Sequence, residues 1–395
     1  SQLAHFLAKT GCPREIFFPH LCHQGPIIPN KNLDKYEKCT HSYKKFDIPN
    51  LVADENEHDM SSGLDRVKTS SEDEMSTEHV DHKTIARFAE DKVNLPKVKA
   101  DEFREQAKRL QNKLEGYLSD HPDFSLKRMI PSGSLAKGTA LRSLNDIDVA
   151  VYISGSDAPQ DLRELLDYLA DRLRKAFPNF SPDQVKPQTY SVTVSFRGSG
   201  LDVDIVPVLY SGLPDWRGHL ISQEDGSLLE TSIPLHLDFI KARKRAAPKH
   251  FAQVVRLAKY WARLMKQERP NFRFKSFMIE LILAKLLDNG VDFSNYPEAL
   301  QTFFTYLVST ELRERIVFED NYPASKIGKL SDLVQIIDPV NPVNNVARLY
   351  TQSNVDAIID AAMDAGDAID AAFYAPTKQL TITYWQKVFG SSFQG

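Results

Sequence analysis

The run "DIDVAVYI", residues 146–153, alternates without a break. Ile147, Val149, Val151 and Ile153 fall on one face of an extended chain, and Asp146, Asp148 and Ala150 on the other. This pattern predicts a β-strand whose apolar row is covered by another layer, so the chain must build a sheet around it. The aspartates raise a separate question. Two carboxylates on neighbouring same-face positions repel, and in a low-dielectric site both stay ionised only with a cation between them.

The approach to this strand points to that cation. In "IPSGSLAKGTALRSLN", Gly133 and Ser134 form a turn after the short strand "FSLKRMIPSGS". A glycine there lets backbone N–H groups approach a phosphate, and the Ser134 hydroxyl can donate to it. A later strand, "LDVDIVPVLY", carries Asp204. Where the two strands are neighbours, three carboxylates converge beneath a phosphate-binding turn, a set suited to two divalent metals roughly 4 Å apart. Oxygen ligands of this kind select Mg²⁺ or Mn²⁺ over zinc.

The remaining sequence frames the sheet. The 395 residues, 42% hydrophobic and 26% charged, are ordinary globular material, long enough for two or three packed units. No apolar run of about 18 residues occurs, and the start lacks the basic-then-apolar pattern of a secretory signal, so the expectation is cytoplasmic with no membrane partner. A net charge of −4 argues against a uniformly basic nucleic-acid coater and leaves room for local basic faces.

Cys12, Cys22 and Cys39 are the three cysteines, and their spacing fits neither a disulfide framework nor paired zinc ligands with His20 and His23. Residues 1–74 read as a disordered or upstream extension, with Met75 placed like a natural initiator; the alternative is an internal methionine after a flexible natural tail. Residues 75–235 read as the sheet lobe, with long helices in "KADEFREQAKRLQNKLEGYLSDH" and "DAPQDLRELLDYLADRLRKAF", and a hairpin joining "YSVTVSF" to "LDVDIVPVLY" through "RGSG". Residues 236–395 are helix-periodic between Pro, Gly and Asn breaks, and no internal repeat is visible. The expected class is α+β with two lobes.

"GS", eleven intervening residues, "DIDV" and a later "VDIVP" resemble the nucleotidyltransferase superfamily of DNA polymerase β. Within it, "GSLAKGTAL", "VRLAKYWARLMK", "KSFMIELIL" and "DPVNPVNNVA" resemble the bacterial relatives of cyclic GMP-AMP synthase and oligoadenylate synthase, the CD-NTases of CBASS anti-phage signalling, with clade C as the nearest group. The resemblance spans residues 75–395 and implies a polymerase-β-like catalytic lobe with an oligoadenylate-synthase-like helical lobe. It implies that Asp146 and Asp148 are the metal-binding pair and Asp204 the third carboxylate, the following "IVP" favouring Asp204 over Asp202 on the same face. Gly133 and Ser134 would hold the triphosphate, Lys259 would grip it, and Ser276 would assist. It further implies two Mg²⁺ or Mn²⁺ per site, ATP or another nucleoside triphosphate as substrate, and a cyclic oligonucleotide product, cyclic tri-AMP in clade C. The implied partners are a HORMA-domain protein, a Trip13-like ATPase, a double-stranded DNA activator and an effector nuclease reached through the product.

Other features carry two readings. Arg256, Lys259, Arg263 and Lys266 share a helix face, a pattern that is usually a solvated stripe; the resemblance singles out Lys259 alone. Lys241, Arg243, Lys244 and Arg245 form a basic cluster that could contact nucleic-acid phosphates or be a solvated loop or subunit contact. The series Asp356, Asp360, Asp364, Asp367 and Asp370 reads as the outer face of a helix rather than a metal site, with Ile358, Ile359 and Met363 inward. Tyr210 is either a base-stacking or a core residue, and "DPVNPVNNVA" reads as a structural turn near the nucleotide cleft. The competing functions are an RNA 3′-end nucleotidyltransferase, which has the same catalytic parts but should bring an RNA-gripping module, and an inactive scaffold, which has no reason to keep three repelling carboxylates.

Overall fold

Alternation and turn chemistry produce the sheet where the sequence places it. The computed structural model describes residues 79–395, except 121–125, 145, 155–157, 199 and 223–225 and the side chains of 118–119. The expected extension 1–74, with its cysteines and histidines, lies outside the described residues. The strands are β1 (Leu126–Pro131), β2 (Asp146–Ser154), β3 (Val185–Pro187), β4 (Val192–Phe196), β5 (Leu201–Tyr210), β6 (Gly218–Ile221) and β7 (Leu228–Thr231). They form one mixed sheet in the order β1-β2-β5-β4-β3, with β6 also pairing β5 and β7 pairing β6. β2 and β5 run parallel at its centre, and β4 pairs β5 antiparallel through the expected hairpin.

Both faces of β2 are covered. Ile147, Val149, Val151 and Ile153 pack with Leu110 and Leu114 of the helix Lys97–Asp120 and with Leu165, Leu166, Leu169 and Leu173 of the helix Leu162–Ala176. Asp161 caps the second helix by accepting from the Arg163 and Glu164 N–H groups. On the opposite face Ala150 and Tyr152 enter a smaller core with Val206, Val208 and Ile233, and the Tyr152 hydroxyl accepts from the Ile233 N–H at 3.1 Å. The aspartate face is therefore apolar at one end of the strand and acidic at the other.

The second lobe is built on the helices Ile233–Ala246, His250–Glu268, Ser276–Asp288, Tyr296–Thr310, Gln352–Phe373 and Lys378–Phe389. Trp261 sits fully buried at its centre, edge-on to Phe304 at 4.7 Å. Ile85 and Phe88 of the helix His82–Phe88, with Ala89 and Val93 just after it, also pack in this second core. Phe88 packs on Phe389 and Phe393 at centroid distances of 5.1 and 5.0 Å, so apolar burial joins this helix to the last helix of the lobe. The helix Tyr296–Thr310 ends where Glu311 and Leu312 adopt positive φ and turn buried Leu312 inward. The five aspartates of Gln352–Phe373 are exposed, as expected of an outer helix face. No helix among the described residues is long and apolar enough to cross a membrane.

Candidate active site

The central parallel pair sets the site. β2 and β5 align Asp146 with Asp202 and Asp148 with Asp204, and the two-residue period puts all four carboxylates on one face. Asp148 and Asp204 are buried, Asp146 is half-buried and Asp202 is exposed. Burial thus separates Asp204 from Asp202, which the sequence left close. Asp204 is also oriented from the far side: Thr193, its register partner on β4, donates its hydroxyl to Asp204 Oδ1 at 2.5 Å.

The turn meets these carboxylates directly. The Ser132 N–H donates to the Asp148 carbonyl at 2.8 Å, and Gly133, at φ +67°, lies against the Asp148 side chain. Gly133–Lys137 is a short helix closed by Gly138 in the left-handed region, which contains buried Ser134. The Ser132 hydroxyl is buried with no hydrogen-bond partner, the signature of a group awaiting one. It opens on a cavity lined also by Gly133, Lys137, Thr231, His236, Phe277 and Asp338. His236 Nε2 is 2.8 Å from Asp338 Oδ1, and Asp338 is held below the usual carboxylate range by His236, the Val340 N–H and Asn344 against its own burial. "DPVNPVNNVA" accordingly contributes Asp338 to the cavity wall as well as forming a turn.

The cations are distributed differently from the expected stripe. Arg263 and Lys266 are exposed, whereas Lys259 is buried and donates to the Thr139 carbonyl, the Thr139 hydroxyl and Glu280 at 3.1–3.2 Å. Lys244 donates to the Lys137 carbonyl and Arg256 to the Gly138 carbonyl, so three side chains of the helical lobe hold three consecutive carbonyls of the turn. Lys259 does not line the cavity. Ser276 opens its helix half-buried, and its neighbour Phe277 is the residue on the cavity wall.

The basic cluster must be corrected at Arg243. Its guanidinium is buried, paired with Asp288 at 2.5 Å and with Asp320, and stacked over Phe239 at 3.9 Å. Helical spacing turns this residue inward, so it is not available to a nucleic acid; Lys241 and Arg245 remain exposed. Tyr210 is half-buried at the edge of the smaller core, where it stacks on Trp216 at 4.9 Å and its hydroxyl donates to the Leu213 carbonyl.

The donor set fits a hard divalent cation. Among the described residues no three acidic, histidine or cysteine side chains are grouped closely enough to hold a metal ion by themselves. The open row of carboxylates beside the turn instead suits Mg²⁺, which retains waters and takes substrate phosphates as ligands alongside one or two carboxylates.

Several site residues escaped the sequence. Thr193 looks like any strand threonine, and Lys137 like part of a polar loop. Glu280 left a signal, a lone acid within the apolar run "FMIELIL". His236 left none.

No family model matches the chain. The chain is 98% identical over 321 residues to a curated cyclic AMP-AMP-AMP synthase of Escherichia coli (strain MS 115-1), covering 81% of this chain and all of that protein. It is 35% identical over 308 residues to the CBASS oligonucleotide cyclase CdnC of Escherichia coli (strain KTE188), covering 76% of this chain and 94% of the relative. Among solved structures, E. coli MS115-1 CdnC with ATP superposes with a TM-score of 0.77 at 98% identity, over 80% of this chain and all of that one. The same relative in complex with a HORMA protein gives 0.77 at 96% identity, over 81% and 100%. Vibrio cholerae DncV cyclic AMP-GMP synthase shares the fold, with a TM-score of 0.57 at 15% identity, over 80% of this chain and 96% of that one. With the acidic strand pair and its glycine turn in place, these likenesses show that the chain belongs to the CBASS oligonucleotide cyclases, CD-NTase nucleotidyltransferases of the DncV and cyclic GMP-AMP synthase fold.

Proposed function

We propose that this chain joins ATP into cyclic AMP-AMP-AMP at the face formed by Asp146, Asp148 and Asp204. The observation that carries the reading is the in-register pairing of β2 and β5 beneath the Gly133 turn. The backbone N–H groups at the start of Gly133–Lys137, with the hydroxyls of Ser132 and Ser134, bind the triphosphate. Phe277 offers an aromatic wall against which a base can stack. Asp146, Asp148 and Asp204 would hold two Mg²⁺ or Mn²⁺, which supply activation of the attacking hydroxyl and stabilisation of the pyrophosphate leaving group. Thr193 keeps the Asp204 carboxylate aimed at that face. Ser276, at the start of the Phe277 helix, supports the same nucleotide from the helical lobe.

The structure of the 98%-identical relative with ATP and that of the 96%-identical one with a HORMA protein support the same substrate and partner class here. Lys241 and Arg245 remain the exposed contacts for a double-stranded DNA activator, and the resemblance supports a Trip13-like ATPase and an effector nuclease, in the cytoplasm. Residues 1–74 are dispensable to the cyclase in this reading.

Purified protein with Mg²⁺, ATP and a HORMA partner should release pyrophosphate and yield a phosphatase-resistant product with the mass of cyclic tri-AMP. A linear tail on added RNA would instead favour the 3′-end nucleotidyltransferase. Asp146→Asn with Asp148→Asn should abolish synthesis while the melting temperature stays equal or rises, because carboxylate repulsion is relieved. Retained synthesis would remove these residues from the site.

A further inference from the structure

The pair of His236 and Asp338 leaves one polar atom of the cavity wall unused. Asp338 Oδ1 accepts from His236 Nε2 and from the Val340 N–H, both at 2.8 Å, and Oδ2 accepts from the Asn344 amide at 3.1 Å. The Tyr322 hydroxyl donates to the Asp338 carbonyl and anchors its backbone. Although burial opposes ionisation, these donors keep the carboxylate charged, and a charged carboxylate can only accept. His236 Nε2 therefore carries the hydrogen, and in the neutral ring Nδ1 keeps a bare lone pair. That atom is buried and meets no donor among the described residues. His236 lines the cavity together with Leu220, Leu229, Ile233 and Leu237, and its ring stands perpendicular to Phe277 at 5.6 Å. A fixed acceptor thus sits in an apolar wall beside the ring on which a base can stack.

We infer that His236 Nδ1 accepts the 6-amino group of adenine, and that this contact is what admits ATP and rejects GTP. The inference rests on the nucleotide reading above and names the group that selects the base at that same site. The chemistry at position 6 decides the choice: adenine donates there through its amino group, whereas guanine presents the O6 carbonyl, which is an acceptor. A carbonyl facing Nδ1 would set two lone pairs against each other and leave both unpaired in an apolar wall. A site that hydrogen-bonds the right group therefore excludes the wrong one far more strongly than a purely apolar pocket does. In a cyclic trimer each nucleotide gives up its pyrophosphate once, so each passes once through the donor position. One acceptor at that position is enough to set all three bases.

The test uses the full chain with Mg²⁺ and the non-hydrolysable triphosphates of adenosine, guanosine and purine riboside, the last lacking only the 6-amino group. Wild-type protein should bind the purine riboside analogue roughly tenfold more weakly than the adenosine one, and the guanosine analogue roughly 100-fold more weakly or worse. In His236→Phe the adenosine and purine riboside analogues should bind within about twofold of each other and the guanosine analogue within about tenfold, because the amino group has lost its acceptor and the carbonyl its repulsion. A residue that only props the wall would weaken all three analogues in parallel and leave the wild-type ratios in place, which would overturn the inference. Wild-type binding of the purine riboside analogue as tight as that of the adenosine one would overturn it as well. Should His236→Phe not fold, as read by its melting curve, His236→Gln takes its place: its amide offers a donor as well as an acceptor, so the guanosine analogue should gain on the adenosine one, and an unchanged ratio counts against His236. Wild-type protein that binds none of the three would defeat the nucleotide reading itself, whereas tight adenosine binding with unaltered ratios in the variant would defeat only this assignment.

Discussion

The Asp148 carboxylate fills the space where a side chain on Gly133 would begin: a Cβ there would stand 1.9 Å from Asp148 Oδ2 and 2.7 Å from its Cγ. Turn and acidic strand are therefore a single packed contact. Gly133→Ala should displace Asp148 and strain the backbone at φ +67° together. The expected result is a loss of kcat/KM of roughly 100-fold, in line with misplacement of a reacting group by about 1 Å. Pyrophosphate release at saturating and limiting ATP measures it; activity near wild type would mean that the turn can relax without the carboxylate.

Thr193 acts on Asp204 from a neighbouring strand. Thr193→Val preserves shape and strand preference while deleting the donor at 2.5 Å. Outer hydrogen bonds to a ligating carboxylate matter chiefly through its orientation, so kcat should fall on the order of tenfold while binding of a non-hydrolysable ATP analogue stays within twofold. A parallel loss of binding would place Thr193 on the substrate instead.

Acid should unfold the protein partly through Glu280. Its folded pKa, about 2, lies below the ordinary 4.5, so its charged form favours folding above pH 4.5, and that contribution is lost as pH falls from 4.5 toward 2. Denaturant midpoints measured from pH 5 to pH 2.5 should drop more steeply for wild type than for Glu280→Gln, which lacks the titrating group. Equal slopes would show that the carboxylate is not charged in the folded protein.

Arg243 and its neighbours should separate cleanly. Arg243→Ala removes the cation shared by Asp288 and Asp320 and the stacking on Phe239; the two carboxylates are part-exposed and can be hydrated, so thermal unfolding should show a loss of about 1–3 kcal/mol. Lys241→Ala with Arg245→Ala should stay within about 0.5 kcal/mol of wild type, as exposed residues do. Any DNA binding that falls in the second variant and becomes more salt-independent marks a phosphate-contacting face. Unchanged DNA binding would exclude it.

The strands of the site were legible because a two-residue period is a strong local signal: "DIDVAVYI" announced both its covered face and its acidic one. The pairing of β2 with β5 could only be supposed, since register between strands 56 positions apart is not written in either. Long-range placement also decided the lysines. Lys259 and Arg263 share one helix face in sequence, yet one meets Thr139 and Glu280 of the packed interior and the other meets water. Arg243 was grouped with exposed cations for the same reason, since its partners Asp288 and Asp320 are 45 and 77 residues away. Nothing local to the helix His82–Phe88 names Phe389 and Phe393 as its neighbours.

The parallel pairing of β2 and β5 also fixes when the site can exist during synthesis. Asp148 has no Asp204 beside it until a crossover of more than fifty residues has left the ribosome, and the turn has no Glu280 until the helical lobe follows. Non-local contacts of this kind form late, because the loop must be closed before any of them is rewarded. A half-made or prematurely ended chain therefore carries the glycine turn and the aspartate pair without Asp204 and Glu280, and an enzyme whose product is an alarm stays silent until it is complete.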